Sequence, residues 1–349
     1  MRTAIVSGVT VALLALVLIL GAGDDGGPNS YVVIGVATGA AYGLVAVGLV
    51  IIYKGSRVFN FAQGEFGTMA AFILYILIEQ VTSPNIPYGV GVAVALIGAV
   101  AIGLIMERIV VRPLMNSPRI TLLVSTIAFA LGLVGIQLLL FHPEAKPLDP
   151  LLQPFNEAGE FLGIEIFGYN LDPQSILIIV VLAVLAVLLG YFFTRTDLGL
   201  AILATSQDAF ATRVVGIGVE RMSRVIWGGA ALLGGIAGVL YIPLTGSLTP
   251  GGMTTGILIP AFTAAVLGGM TSLPGAFLGG IVVGCVQSLA NWAGFAWHIS
   301  VSEVNAEGVA ESVAKPLSNI IYGLPDVALI AVLLIVLLIR PQGLLGQEA

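Results

Sequence analysis

Charge is scarce in this sequence. Asp, Glu, Lys and Arg make up 9% of its 349 residues and hydrophobic residues 58%, whereas a soluble domain carries about 25% charged residues. That balance excludes a soluble globular chain and indicates a polytopic membrane protein. Cysteine is nearly absent: the single Cys285 allows no disulfide within the chain, and its apolar surroundings suit a small buried hydrophobe. The two histidines, His142 and His298, are isolated in expected loops, so no metal site is assembled from them. Catalytic signatures are missing as well. There is no Gly-x-x-x-x-Gly-Lys-Ser/Thr phosphate loop, so the chain cannot hydrolyse ATP itself. There is no His-Glu-x-x-His, no Gly-x-Ser-x-Gly and no pair of intramembrane aspartates, which argues against a membrane-embedded enzyme. No ring-forming filter speaks for a channel. The net charge of −6 carries no message about nucleic acid, because the few charges are sorted by side.

Apolar runs are plentiful. A spanning helix needs about 20 mostly apolar residues, and ten candidates lie near 4–22, 31–54, 61–80, 88–108, 119–141, 174–194, 222–243, 255–269, 275–293 and 319–340. The expectation is an all-α polytopic membrane protein with about ten helices in a single transmembrane domain, residues 1–349. The eighth candidate is short for a crossing and reads as a half-helix. Residues 1–23 resemble a signal peptide, with Arg2, an apolar core and Gly21-Ala22-Gly23 before Asp24. The length of the apolar core and the lack of a clean small-x-small pattern favour a retained extra helix.

Basic residues set the orientation. With a cytoplasmic N-terminus, Arg2, Lys54, Arg57, Arg108, Arg112, Arg119, Arg195, Arg213, Arg221, Arg224 and Arg340 fall inside, eleven of the 13. Lys146 and Lys315 fall outside, on two acidic loops near 142–173 and 294–318. Both termini are therefore expected in the cytoplasm of a multi-pass protein in the cell membrane. Ten helices divided five and five would form an inverted repeat.

Two polar interruptions sit at matching places in those halves: Val58 to Gly67, and Thr245 to Thr255. Such Gly/Pro-interrupted pairs point to a transport site. Asn60 reads as an N-cap, with Gln63 at capping-box spacing for a helix starting at Phe61, and Glu65 near its positive end. Asn60, Gln63, Gly64 and Glu65 from the first break, with Thr249, Thr254 and Thr255 from the second, are the candidate pathway or gate residues. The topology puts the first break nearer the cytoplasm and the second nearer the outside. It thus predicts an inner and an outer gate with no shared pocket. Glycines spaced by four predict close helix packing: Gly35, Gly39 and Gly43, then Gly234 with Gly238, Gly275 with Gly279, and Gly280 with Gly284.

The longest internal loop, 195–224, predicts a short helix from Ser206 as N-cap to Val215, stopped by Gly216. Its Phe210, Val214 and Val215 would be exposed, which invites a soluble partner.

Three ordered motifs carry a family resemblance. Gly48-Leu49-Val50-Ile51-Ile52-Tyr53, then Arg57 to Glu65, resembles the signature of the branched-chain amino acid ABC-transporter permease family, with Gln63 where that family has histidine. Asp208 to Ile217 resembles its ATPase-contacting segment. Ala261 to Gly269 followed by Ser272-Leu273-Pro274-Gly275-Ala276 resembles its Gly-Gly…Pro-Gly-Ala region. The loop lacks the Glu-Ala-Ala-x-x-x-Gly spacing of maltose-type permeases. The resemblance spans about residues 31–340, leaving the first helix as an extra. It implies one membrane subunit of an ATP-driven importer for branched-chain or related amino acids, lining half of the pathway. A second homologous permease, two cytoplasmic ATPase subunits that bind the ATP, and an extracytoplasmic solute-binding protein are implied as partners. No cofactor is expected in this chain. Asp208, Phe210, Arg213 and Gly216 would couple it to the ATPase, and the acidic loops would dock the binding protein. Urea or short amides remain the alternative cargo, because permeases of this type share the motifs.

Overall fold

The computed structural model describes residues 28–80, 86–115, 117–156, 158–166, 169–306, 324–340 and 342–345. The expected first helix and residues 307–318 lie outside the described residues. Chain order is α1 (Pro28–Ser56), α2 (Gln63–Tyr75, continued by a π-helical turn Ile76–Gln80), α3 (Tyr88–Met106, continued by a π-helical turn Glu107–Val111) and α4 (Arg119–Phe141). A small antiparallel hairpin follows, β1 (Ile164–Ile166) with β2 (Tyr169–Leu171), an addition to the all-α expectation. Then come α5 (Pro173–Arg195), α6 (Asp197–Gln207), α7 (Ala209–Val214), α8 (Val219–Thr245), α9 (Gly252–Gly256), α10 (Leu258–Gly268), α11 (Leu273–Ala306) and α12 (Leu324–Ile339).

Six of these helices are long and apolar enough to cross a membrane: those of α1, α3, α4, α5, α8 and the first part of α11. Their burial divides them by position. The spans in α1 and α8 are mostly buried, whereas α3, α4 and α5 turn most of their surface outward. Outward residues such as Ile120, Leu139, Val187 and Leu188 are more than half exposed and aliphatic, as a lipid-facing surface requires. Starts and stops follow ordinary chemistry. Asp172 caps α5 by accepting from the Ser175 N–H at 2.8 Å, with Pro173 in the first turn.

The centre of the bundle is the seam between α1 and α11. A β-carbon at Gly39 would stand 2.6 Å from the Gly280 carbonyl oxygen, and one at Gly280 2.5 Å from Gly43 Cα. Gly284 lies likewise against Gly35 and Gly39. The glycine spacing read from the sequence is thus a backbone-to-backbone contact, and Gly238 of α8 meets Gly67 of α2 in the same way.

Two expectations change here. The helix expected over 255–269 is broken into α9 and α10 at Ile257. At about 1.5 Å per residue α10 is about 16 Å long, short of the roughly 30 Å hydrocarbon core, which agrees with the half-helix read from the sequence. The second outer loop was expected to begin near 294, yet α11 continues to Ala306 and takes His298 out of loop structure. Gly294 stands where the stop was expected, but the apolar run Phe295, Ala296, Trp297 and Ile299 continues beyond it and the helix passes through.

Candidate functional site

After α1 the chain turns back at Arg57, whose φ of 56° lies in the left-handed region and costs a non-glycine residue about 1–2 kcal/mol. The next residues are pinned individually. Asn60 Oδ1 accepts from the Ala62 N–H at 3.0 Å, and Asn60 Nδ2 donates to Gln63 Oε1 at 3.3 Å. Gln63 Nε2 donates to the Ala230 carbonyl at 2.9 Å, and the Phe61 N–H to Thr126 Oγ1 at 3.2 Å. Asn60, Gln63, Glu65 and Thr68 are all fully buried.

This is not the expected capping box. The helix starts at Gln63 rather than Phe61, its N-cap position is Ala62, and no side chain caps it. Asn60 closes a local turn with Ala62 instead, and Gln63 reaches across to α8 rather than back to Asn60's N–H. Glu65 does fall in the first turn of the helix.

Depth follows from the partners. Ala230 and Gly234, against which Gln63 packs, lie near the middle of the 27-residue α8. The first break therefore ends half-way along the bundle, so residues 57–62 climb from the end of α1 into the interior.

The second break comes in from the opposite end. Gly246 ends α8 with φ 64°, Leu248 forms a two-bond bridge with Lys146 (2.9 Å each way), and Gly251 turns the chain again at φ 70°. Both turns need a left-handed backbone, which glycine adopts without strain. At Gly251 the two breaks meet. Its N–H donates to Gln137 Oε1 at 2.8 Å, and Gln137 Nε2 donates to Glu65 Oε2 at 2.7 Å. The Met253 N–H donates to Thr68 Oγ1 at 3.3 Å. A β-carbon at Gly64 would stand 2.8 Å from Thr254 Oγ1. The prediction of separate inner and outer gates is overturned: Glu65, Gly64, Gly251 and Thr254 form one cluster. The linear topology had placed both breaks at bilayer faces, but backbone without helical bonds has to be satisfied by protein inside the membrane, and the two breaks satisfy each other.

Within the cluster, Glu65 Oε1 and Thr254 Oγ1 are neighbours yet outside hydrogen-bond geometry, and both are buried without a partner. A carboxylate oxygen in that condition is costly. Thr249 and Thr255 stand apart from the carboxylate. The Thr249 carbonyl accepts from the Gly252 N–H at 3.0 Å, and Thr255, exposed, donates to the Gly251 carbonyl at 3.1 Å.

The sequence reading missed Gln137, Thr68 and Gly251. Gln137 was findable. The buried positions of α4 are Leu122, Thr126, Ala130, Leu133, Gln137 and Phe141, one helical stripe. Its two strongly polar members, Thr126 and Gln137, both touch the breaks.

The elbow between α5 and α8 is two helices, not one. Thr196 caps α6, accepting from the Gly199 N–H at 3.1 Å. Asp208 caps α7, its Oδ1 accepting from the N–H groups of Phe210 and Ala211, each at 2.9 Å. Ser206 is not the expected N-cap, because it lies in the last turn of α6 and donates to the Leu203 carbonyl at 2.8 Å. Gly216, at φ 85°, stops α7 after Val215. Phe210, Val214 and Val215 are 78%, 71% and 73% exposed, so an apolar tip projects from the bundle. Arg213 pairs loosely with Glu220 at 3.7 Å.

Comparison with known proteins fits this arrangement. Residues 31–339 match the family described as branched-chain amino acid transport system / permease component. The high-affinity branched-chain amino acid transport system permease protein BraD of Pseudomonas aeruginosa is 31% identical over 319 residues, covering 90% of this chain and 94% of that protein. LivH of Escherichia coli strain K12, of the same description, is 28% identical with the same coverage. The ribose import permease protein RbsC of that strain is 26% identical over 262 residues, covering 72% of this chain and 74% of that protein. No solved structure matches.

Proposed function

The chain belongs to the branched-chain amino acid transport permease family, and from that membership we propose that it is a membrane-spanning subunit of an ATP-driven importer for branched-chain or related amino acids. The observation that carries the reading is the meeting of two helix breaks around Glu65 half-way along the bundle. Discontinuous helices meeting near the bilayer midplane are where transporters hold cargo. An aliphatic amino acid asks for an apolar path with few fixed charges, and its ammonium group asks for one acceptor. Glu65 Oε1, buried and unpartnered, supplies that acceptor once the Gly251–Thr254 segment moves off it. Gly64, with Thr254 against it, is the contact that has to open. Asn60 and Gln63 hold the first break in place, while Thr249 and Thr255 hold the turn of the second.

The orientation proposed from the basic residues puts the elbow in the cytoplasm. There the apolar tip of Phe210, Val214 and Val215, on a helix capped by Asp208 and stopped by Gly216, is suited to an ATPase groove. Two ATPase subunits, a second permease and an extracytoplasmic binding protein complete the proposed assembly. The 142–172 segment, carrying Glu144, Asp149, Glu157, Glu160, Glu165 and Asp172, is the proposed docking surface for the binding protein.

The test is uptake into proteoliposomes holding the complete assembly, with labelled leucine, isoleucine, valine and urea offered in turn. ATP-dependent accumulation of an aliphatic amino acid is the expected result. Urea accumulation alone moves the cargo to short amides, and uptake that needs no ATPase subunit refutes the importer reading.

A further inference from the structure

A concavity lies at the entry to the first break, where α1 stops and the elbow begins. It encloses about 420 Å³ and is walled by Ser56 at the end of α1 and Arg57 after it, Arg119 at the start of α4, Phe210 and Arg213 on α7, and Ser223 and Trp227 on α8. That volume is in the range of small-ligand sites, about 300–1,000 Å³. No Asp or Glu is among the described residues of its wall. Arg57 and Arg119 take no part in the ion pairs found among the described residues, Lys146–Glu144 and Arg213–Glu220.

Backbone adds to the same sign of charge. The 23-residue α4 begins at Arg119 behind Pro118, and the 27-residue α8 begins at Val219 behind Gly218; neither start has a side-chain cap. Val219 is itself in the wall. Uncapped first turns carry free N–H groups and the positive end of the helix dipole. Trp227 belongs to the wall but is 1% exposed, and its indole N–H is sealed from the cavity. Ser223, one turn earlier on the same helix, brings a hydroxyl to the same wall. The wall therefore carries the positive charge of Arg57, Arg119 and Arg213, the last paired with Glu220 of α8, together with the hydroxyls of Ser56, Thr205, Ser206 and Ser223.

Guanidinium forks and helix N-termini both match the oxygens of phosphate. The cavity also lies where bundle helices end, the depth at which lipid headgroups sit, and basic pockets between membrane helices take acidic headgroups. We propose that this cavity binds a phosphate-bearing anion between Arg57, Arg119 and the first turn of α4, supplied by the headgroup of an acidic phospholipid. Because Phe210 is in the same wall, the bound anion braces the elbow against the bundle.

The experiment uses the full-length chain in phosphatidylcholine nanodiscs, with or without a minor fraction of phosphatidylglycerol. It reads the melting midpoint and the phospholipid retained in native mass spectrometry. Phosphatidylglycerol is expected to raise the midpoint and to stay bound. Arg119→Gln, an exposed position whose loss leaves the fold intact, should lower retention roughly tenfold, as loss of one charged contact does. Arg57→Gln should do the same. In a second arm inorganic phosphate is titrated into neutral nanodiscs. A midpoint shift there that both variants abolish keeps the anion site and assigns it to a soluble phosphate compound. If the parent chain and both variants respond alike to the two probes, the proposal is overturned.

Discussion

Residues 57–62 are held by side chains, whereas residues 246–251 are held by backbone. In the first break Asn60 and Gln63 bond to Ala62, to each other and to α8, all out of reach of solvent. In the second, two left-handed glycines shape the path, and the fastenings are the Lys146–Leu248 bridge and a single N–H on Gln137. A segment fixed through several buried amides moves only if they all let go together. One fixed by isolated bonds and glycine turns can shift at much smaller expense of free energy. The contrast predicts a fixed wall in the first break and a moving part in the second.

The largest effect should come from removing the link between them. Gln137→Ala leaves Glu65 Oε2 and the Gly251 N–H without partners, and each orphaned buried group costs about 1–3 kcal/mol. Thermal unfolding in detergent should show roughly 2–6 kcal/mol of lost stability, and an unchanged midpoint would mean the breaks are not joined through this amide. Next is Glu65→Gln, which keeps the shape and removes the charge. Uptake should fall about tenfold, the weight of one charged hydrogen bond, with the complex still assembling; unchanged uptake retires Glu65 from the pathway. Gly251→Ala should be milder. A methyl group there meets Val134 at 3.4 Å and Glu65 Oε1 at 4.0 Å, both ordinary contacts, so the expected penalty is the positive φ, about 1–2 kcal/mol, read in the same unfolding assay. Smallest is Lys146→Pro. It removes one of the two bridge bonds, about 0.5–1.5 kcal/mol, and should speed hydrogen exchange at Leu248 while leaving Gln63 untouched. Equal acceleration in both breaks would erase the distinction between wall and moving part.

Much of this was legible from residue order. Aliphatic runs gave six of the ten expected spans among the described residues, glycines at intervals of four gave the close contacts of α1 with α11 and of α2 with α8, and Phe210, Val214 and Val215 gave the exposed elbow tip. The site was legible only as parts. Asn60 and Gln63 have capping-box spacing, but the intervening Ala62 N–H is nearer to the Asn60 carboxamide than any helix N–H, so a local turn takes it. Ser206 and Asp208 are both good caps, and the choice between them is decided by where α6 ends, which no single residue announces. The convergence of the breaks was out of reach for a stronger reason. Charge patterning assigns loops to sides of a membrane, but it carries no information on how far a chain re-enters, which is set by partners such as Ala230 and Gln137 far away in sequence.

The seam of Gly35, Gly39 and Gly43 with Gly280 and Gly284 has a lasting consequence for how this chain tolerates change. Those positions already carry the smallest possible side chain, so nothing there can be trimmed and every substitution is an enlargement. The interface consequently accepts drift in no direction, and compensating variation has to collect elsewhere, on the lipid-facing flanks of α4 and α5.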